Sequence, residues 1–256
     1  MNKPTFDIYL INLDKDTDRL EKFKTNISPN RFIRIPGIHG NKQEFHDNEE
    51  VFFTSRYLAP KSALGCAMSH RLAAKTFLET SDKPFVLICE DDAEPLLPDY
   101  IEKIEESIKN APPDWDMIKY DYLPNYNIGE FNKVPSLILT AYLINKKGAE
   151  KLLKHKIYYF PDIEQPFFGL NIYNNPELLF TQIWDENNNS NNRVCTKYNP
   201  FCYISEPLNF KAIRLGIYEF TFADLILFLL FLVVFLIIVY RLFQYNASKG
   251  SKYSIG

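Results

Sequence analysis

The chain has 256 residues, 46% of them hydrophobic, with a net charge of −3 and a pI near 5.9. That is enough apolar material for one or two globular cores. It excludes an overall basic field of the kind that holds nucleic acid. The four cysteines are Cys66, Cys89, Cys195 and Cys202, with no CxxC pair and no Cys/His spacing typical of zinc. Cys66 and Cys89 lie in apolar runs and read as small core residues. Cys195 and Cys202 can pair only if their region lies in an oxidising compartment.

The opening MNKPTFDIYLINLDKD lacks the form of a signal peptide, because its short apolar run is followed by acids. Phe6 to Leu13 reads as a strand rich in apolar and aromatic residues. The polar turn DKDTDR follows, then a short helix from Leu20 to Ile27 and a strand from Phe32 to Ile35. Pro36-Gly37 and His39-Gly40 mark a loop that continues through the polar stretch to Glu50. Ser62 to Thr80 has helical periodicity, with Ala63, Leu64, Ala67, Met68 and Leu72 on one stripe and Arg71 and Lys75 outside it.

Pro84 then opens the run FVLICE, which is apolar to Cys89 and turns acidic at Glu90. This pattern suits a central strand whose carboxyl end reaches a crevice. Tyr100 to Asn110 reads as a helix, Asp116 to Tyr122 and Leu137 to Ile144 as strands, and Lys146 to Lys156 as a helix. Alternation of strands and helices defines an α/β class with a mostly parallel sheet. From Tyr158 to Phe210 no clear period is visible, and the asparagine-rich 187–192 piece reads as a loop.

The C-terminal part differs. Leu225 to Tyr240 carries no charge, and Phe220 to Phe243 gives roughly 36 Å of helix, enough to cross a bilayer. A buried core helix would show one polar face, and this segment shows none. The expected organisation is a catalytic domain over residues 1–215, a transmembrane anchor over 216–243 and a short basic tail over 244–256. Arg241 at the end of the span, with Lys249 and Lys252 in that tail, favours its cytoplasmic placement. Asn188-Asn189-Ser190 and Asn246-Ala247-Ser248 are glycosylation sequons, relevant only on a luminal side.

The chemistry concentrates at Glu90-Asp91-Asp92-Ala93-Glu94. Four acids within five residues repel one another and require water, donors or a cation. A hard divalent cation with oxygen ligands meets that need and bridges a diphosphate, with Asp91 and Asp92 as first choices for its ligands. The competing reading is a solvated acidic loop that caps the next helix. Asn12 stands at the end of the first strand, where α/β folds bind ligands. Arg19 suits a phosphate, or else pairs on the surface with Asp16 or Glu21. His70 reads as a hydrogen-bonded structural residue or as a donor contact, and no nucleophile elbow makes Ser69-His70 a hydrolytic dyad.

ALGCAMSHR at Ala63 to Arg71 and FVLICEDDA at Phe85 to Ala93 resemble glycosyltransferase family 25, which includes lipooligosaccharide and collagen galactosyltransferases. Ile11-Asn12-Leu13 with Arg19, the Ile35 to Gly40 loop, Thr140-Ala141-Tyr142-Leu143-Ile144, Gly148-Ala149, Leu152-Leu153, Pro161-Asp162, Pro176 and Gln182 extend the resemblance in order. Two departures are Ala93, where the family most often has Val, and His39, where many members have Asp. The resemblance implies a GT-A fold, a nucleotide-sugar donor, Mn²⁺ near the acidic motif and inverting transfer. It implies donor contacts from Asn12, Arg19, Ser69, His70, Glu90 and Asp91, and metal ligation by Asp91 and Asp92. An inverting enzyme needs a base for the acceptor hydroxyl, with Asp162 and Glu164 as candidates. Asp162 reads equally as a second metal ligand or part of a turn.

The expected function is transfer of a hexose, galactose or glucose, from a UDP-sugar to a glycan, lipid-linked or protein-linked acceptor at a membrane. The alternative is a degenerate, non-catalytic protein of the same fold that binds glycans or partners.

Overall fold

The computed structural model describes residues 4–27, 32–122, 126–136, 138–182, 208 and 211–252, with side chains as far as Arg241. Contacts divide the chain into two units, Met1–Asp185 and Glu186–Gly256. The Cys195/Cys202 pair and the Asn188 sequon lie outside the described residues. The expected boundary at 215 falls inside the second unit.

The first unit is built on a six-stranded sheet. Strand β1 is Phe6–Asn12, β2 is Phe32–Pro36, β3 is Phe85–Glu90, β5 is Met117–Lys119, β6 is Ala141–Asn145 and β7 is Ile172–Asn174. Their order is β2-β1-β3-β6-β5-β7. β1 pairs in parallel with β2 and β3, and β5 with β7; β6 runs antiparallel to both its neighbours. The sheet is therefore mostly parallel, in a mixed α/β unit. A short pair outside it joins β4 (Ala93–Pro95) to β8 (Phe180–Gln182).

Helices cover both faces, which is why the strands read as continuous apolar runs. In β1 and β3, Phe6, Ile8, Leu10, Leu87 and Cys89 point to one side. There they meet Phe23 of α1 (Thr17–Asn26) and Ile104 of α4 (Tyr100–Asn110). Tyr9, Ile11, Val86 and Ile88 point to the other side, against Ala73, Ala74 and Phe77 of α3 (Lys61–Thr80) and Leu152 of α5 (Lys146–Lys154). Burying each such side chain contributes about 1.5–3 kcal/mol. A third cluster sets Phe45, Val51, Ala59 and Ile157 against Leu64 and Ala67, so the stretch after the His39-Gly40 loop packs on α3. Within that stretch Ser55–Leu58 forms the short helix α2.

Two glycines make this docking close. A methyl group on Gly40 would overlap the Lys61 carbonyl, and one on Gly65 would come within 2.6 Å of the Gly40 nitrogen and the Ile38 oxygen. Backbone thus lies on backbone where the loop after β2 meets α3.

Arg71 departs from expectation. It is buried at the end of α5, where its guanidinium donates to the carbonyls of Leu152, Leu153 and His155 at 2.8–2.9 Å. These are carbonyls that a helix leaves unsatisfied at its C-terminus. Nε also donates to Glu50 at 3.1 Å.

In the second unit β9 (Lys211–Leu215) and β10 (Tyr218–Thr221) form a hairpin that turns at Gly216, whose φ is +63°. Helix α7, Phe222–Lys252, follows. Asp224 accepts from the Thr221 backbone N–H and hydroxyl, both at 2.8 Å, and its own N–H donates to that hydroxyl at 3.2 Å. This reciprocal pair caps the helix. Phe222–Arg241 is long and apolar enough to span a membrane, with a mean hydropathy of 3.2 and none of it buried in the chain. The Asn246 sequon lies on the last turns of α7, beyond the described side chains.

Arg71→Met should leave three carbonyls without their donor. The expected loss is about 2–4 kcal/mol of stability, measured by chemical denaturation of the full chain in detergent.

Candidate active site

The carboxyl ends of β1, β2, β3 and β5 lie along one edge of the sheet, and antiparallel β6 begins there. In an open α/β sheet this edge is where ligands bind. Here it gathers Asn12, Glu90 to Asp92, Lys119 and Tyr142.

Arg19 reaches over from α1. Its guanidinium lies 2.8 Å from Asp91 Oδ1 and 2.8 Å from Asp92 Oδ2. Both acids are buried. Asn12 Nδ2 donates to Asp91 Oδ2 at 2.7 Å and to the Asp16 carbonyl at 3.0 Å. Arg34 of β2 in turn holds Asn12, with Nε donating to its side-chain oxygen at 3.0 Å and a terminal nitrogen to its carbonyl at 3.1 Å. Arg34 also pairs with Asp14 at 2.6 Å. The acidic motif is thus fixed by a chain of named contacts, and the solvated-loop reading does not describe it.

Three carboxylates, Glu90, Asp91 and Asp92, crowd together here, an excess of like charge that the Arg19 guanidinium meets at Asp91 and Asp92. Burial first, then Asp92 and Glu90, push Asp91 up to about 7, against the opposing pull of Arg19 and Asn12. A hard divalent cation with oxygen ligands would relieve that excess. The donor set of Asp91 and Asp92 therefore fits Mn²⁺ or Mg²⁺.

Behind Glu90 lies a second group. His70 Nε2 is 3.0 Å from Glu90 Oε1, and His70 Nδ1 is 3.0 Å from the Tyr142 hydroxyl. Cys66 Sγ donates to the same Glu90 oxygen at 3.8 Å. Cys66 is therefore not simply a core residue; it is half-buried and faces a carboxylate. Burial, Glu90 and Asp162 all push its thiol upward. Burial, Glu90, Cys66 and Asp162 do the same to Tyr142. Asp162, on the short helix α6 (Pro161–Glu164), is thus electrostatically part of this group.

Other expected residues sit differently. Ser69 Oγ donates to the Gly65 carbonyl at 2.7 Å and accepts from Ile38 N–H at 2.8 Å, so it pins the loop after β2. Glu164 accepts from the backbone N–H groups of Tyr158 and Tyr159, at 2.6 and 2.9 Å. It holds the chain before α6, and burial pushes it up to about 7.

Residues that sequence reading passed over are Arg34, Cys66, Lys119 and the Tyr142 hydroxyl. Lys119 is buried, with Nζ donating to the carbonyls of Ser136 and Ile138 at 2.7 and 2.9 Å. Burial lowers it to about 8, and Asp162 and Asp121 oppose that. The available signal was a charge inside an apolar strand, as in Ile33-Arg34-Ile35 and Met117-Ile118-Lys119.

These features define a glycosyltransferase once the sequence comparison is added. The chain belongs to glycosyltransferase family 25 (LPS biosynthesis protein), whose sequence profile matches residues 6–138. No curated protein matches it. Among solved structures it is similar to A197 from STIV, with TM-score 0.43 and 14% identity, over 71% of this chain and 87% of that one. It is also similar to a mutant Drosophila β-1,4-galactosyltransferase 7 in complex with manganese, UDP-Gal and xylobiose, with TM-score 0.39 and 10% identity, over 75% and 76% of the two chains. A third is a glycosyltransferase involved in glycosylating the major capsid protein of PBCV-1, with TM-score 0.34 and 13% identity, over 58% and 63%. The family match, not these distant likenesses, carries the assignment.

Glu164 supplies a test of the local electrostatics. Its value is raised from 4.5 to about 7 in the folded chain. The folded state therefore holds the proton more tightly than the unfolded one. That contribution is complete below about pH 4.5 and is lost as pH rises through about 7. Glu164→Gln should flatten the part of the melting-temperature profile that falls between pH 5 and pH 8, read by thermal denaturation of both proteins.

Proposed function

We propose that this chain is an inverting hexosyltransferase that moves galactose or glucose from a UDP-sugar to a glycan, lipid-linked or protein-linked acceptor. The observation that carries the reading is the buried Asn12–Asp91–Arg19–Asp92 network at the carboxyl edge of the sheet. A site with this much fixed acid and a guanidinium at its rim is suited to a cation and a diphosphate together.

In this reading Asp91 and Asp92 hold Mn²⁺, which when bound neutralises the charge of the departing UDP. The manganese and UDP-Gal in the Drosophila galactosyltransferase complex are consistent with that choice. Arg19 swings between the carboxylates and the donor phosphates. Asn12 keeps Asp91 oriented, and Arg34 keeps Asn12 oriented. His70 fixes Glu90 from behind, on the donor side. Ser69 shapes the donor pocket indirectly, by pinning the loop at Ile38.

Asp162 is the base. The acceptor oxygen attacks the anomeric carbon as the bond from that carbon to the β-phosphate oxygen breaks. The hydroxyl proton passes to the Asp162 carboxylate. Glu164, held by two backbone N–H groups, positions α6 and with it Asp162. Residues 1–215 then form the catalytic part. The segment 216–243, most of it in helix α7, anchors it beside a membrane-borne acceptor, with the basic tail on the cytoplasmic side.

The test uses the full chain in detergent with UDP-galactose or UDP-glucose. UDP release should require Mn²⁺, stop on addition of EDTA and fall by about 100-fold or more in Asp92→Ala. UDP with Mn²⁺ at tenfold excess over Kd should add about 1.4 kcal/mol of stability in a thermal shift. A folded protein that neither binds UDP nor releases it from any common UDP-sugar is the non-catalytic binding protein instead.

A further inference from the structure

We propose that Cys66, His70 and Glu90 form a second cation site, selective for a zinc-class ion and chemically separate from the Asp91/Asp92 pair. The proposal goes beyond the sugar-transfer reading and does not rest on it.

The geometry comes from two elements. Cys66 and His70 are four residues apart on α3, so they lie one above the other on the same face. Glu90 ends β3 opposite them. One ligand atom from each, Cys66 Sγ, His70 Nε2 and a Glu90 oxygen, all lie within 4.8 Å of one another. A tetrahedral zinc site with bonds of about 2.0–2.3 Å spaces its ligand atoms by roughly 3.3–3.8 Å. The Cys66–Glu90 pair already stands at 3.8 Å and the His70–Glu90 pair at 3.0 Å. An ion entering here replaces two hydrogen bonds with three coordinate bonds and needs only small side-chain movement.

The surroundings support ligation. Metal-bound histidines are commonly held through their other ring nitrogen. Here Nδ1 is held by the buried Tyr142 hydroxyl at 3.0 Å, which leaves Nε2 directed at the site. The two rings stack, with centroids 5.7 Å apart and planes 29° from parallel. His70 itself is 1% exposed.

The donor chemistry selects the ion. Thiolate, imidazole and carboxylate together suit zinc, while an all-oxygen pair suits manganese or magnesium. On binding, the Cys66 thiol gives its proton to solvent and the sulfur binds the ion; the proton that Nε2 shared with Glu90 is also released, and imidazole stays neutral by carrying its one proton on Nδ1, donated to the Tyr142 oxygen. Thiolate and carboxylate then match the two positive charges with neutral imidazole as third ligand. Three protein ligands leave a fourth position for water or a substrate oxygen.

The test is a Co²⁺ titration of the metal-free full chain in detergent, with Cys195 and Cys202 changed to serine throughout. A thiolate-to-cobalt charge-transfer band should saturate at one equivalent and vanish when Zn²⁺ displaces cobalt. It should persist in Asp92→Ala and be lost in Cys66→Ser. Tyr142→Phe should weaken cobalt binding about 10-fold, and His70→Gln, which keeps the thiol, by about 100-fold or more. Circular dichroism checks that each variant is folded, and His70→Gln decides the matter if Cys66→Ser is not. No band in the parent protein, a band that survives Cys66→Ser, loss of the band in Asp92→Ala, or parent-like titration of His70→Gln overturns the proposal. Because the readout is spectroscopic, its failure is distinct from failure of UDP release.

Discussion

The fold's active edge depends on one ionic contact, the Arg19 guanidinium held against both Asp91 and Asp92. A buried strand that ends in three consecutive acids has no stable arrangement without a counter-charge. Sheet topology supplies it. Parallel pairing of β1 with β3 places Ile11 beside Glu90, so the turn after β1 and the start of α1 lie next to the acidic motif. Arg19 sits in the first turn of α1, where it can reach. Parallel pairing of β1 with β2 brings Arg34 beside Leu10 and lets it hold Asn12. Three parallel strands thus convert residues far apart in the chain into one polar network.

The antiparallel strand β6 does a different job. It enters between β3 and β5, so Tyr142 lies beside Ile88, one turn of the pleat back from Glu90. Its hydroxyl meets His70 from α3, and His70 meets Glu90. The close glycine contact at Gly40 and Gly65 sets the loop after β2 directly on α3, and Ser69 fastens it there. Glu90 is therefore gripped from the helix layer while Asp91 and Asp92 are gripped from β1 and α1. One acidic tripeptide has two separate sets of partners because Glu90 is the last residue of β3, whereas Asp91 and Asp92 lie in the turn that follows it.

Much of this was legible in the sequence. Runs such as Phe6 to Leu13 and Phe85 to Glu90 announce buried strands by composition, and Tyr100 to Asn110 announces its helix by period. The acidic turn at Glu90 marks the site because charge at the end of an apolar run needs a reason. What stayed hidden depends on partners distant in sequence. Arg71 lies off the apolar stripe of α3, and nothing local shows that it caps a helix 80 residues later. Cys66 and His70 lack a zinc-like motif because their third partner is on another element. The three-residue strands β4, β7 and β8 are too short to show a period, and their pairing is set by tertiary contact alone.

Glu90 is the point where the two halves of the site meet. Burial pushes both Asp91 and the Cys66 thiol upward, and the charge of Glu90 adds to each, on its two sides. A cation that binds beside His70 neutralises part of that charge and so lowers the repulsion that Asp91 feels. The same neutralisation removes the attraction that Glu90's own charge adds for a second cation at the Asp91/Asp92 pair. Repulsion between two divalent ions in neighbouring sites adds to this, and it is strong where solvent is excluded. Coupling of this kind is reciprocal: an ion on the oxygen pair weakens binding at the thiol to the same degree. If the proposed zinc-class site and the oxygen pair both take ions, their occupation is antagonistic, with Glu90 standing between the two.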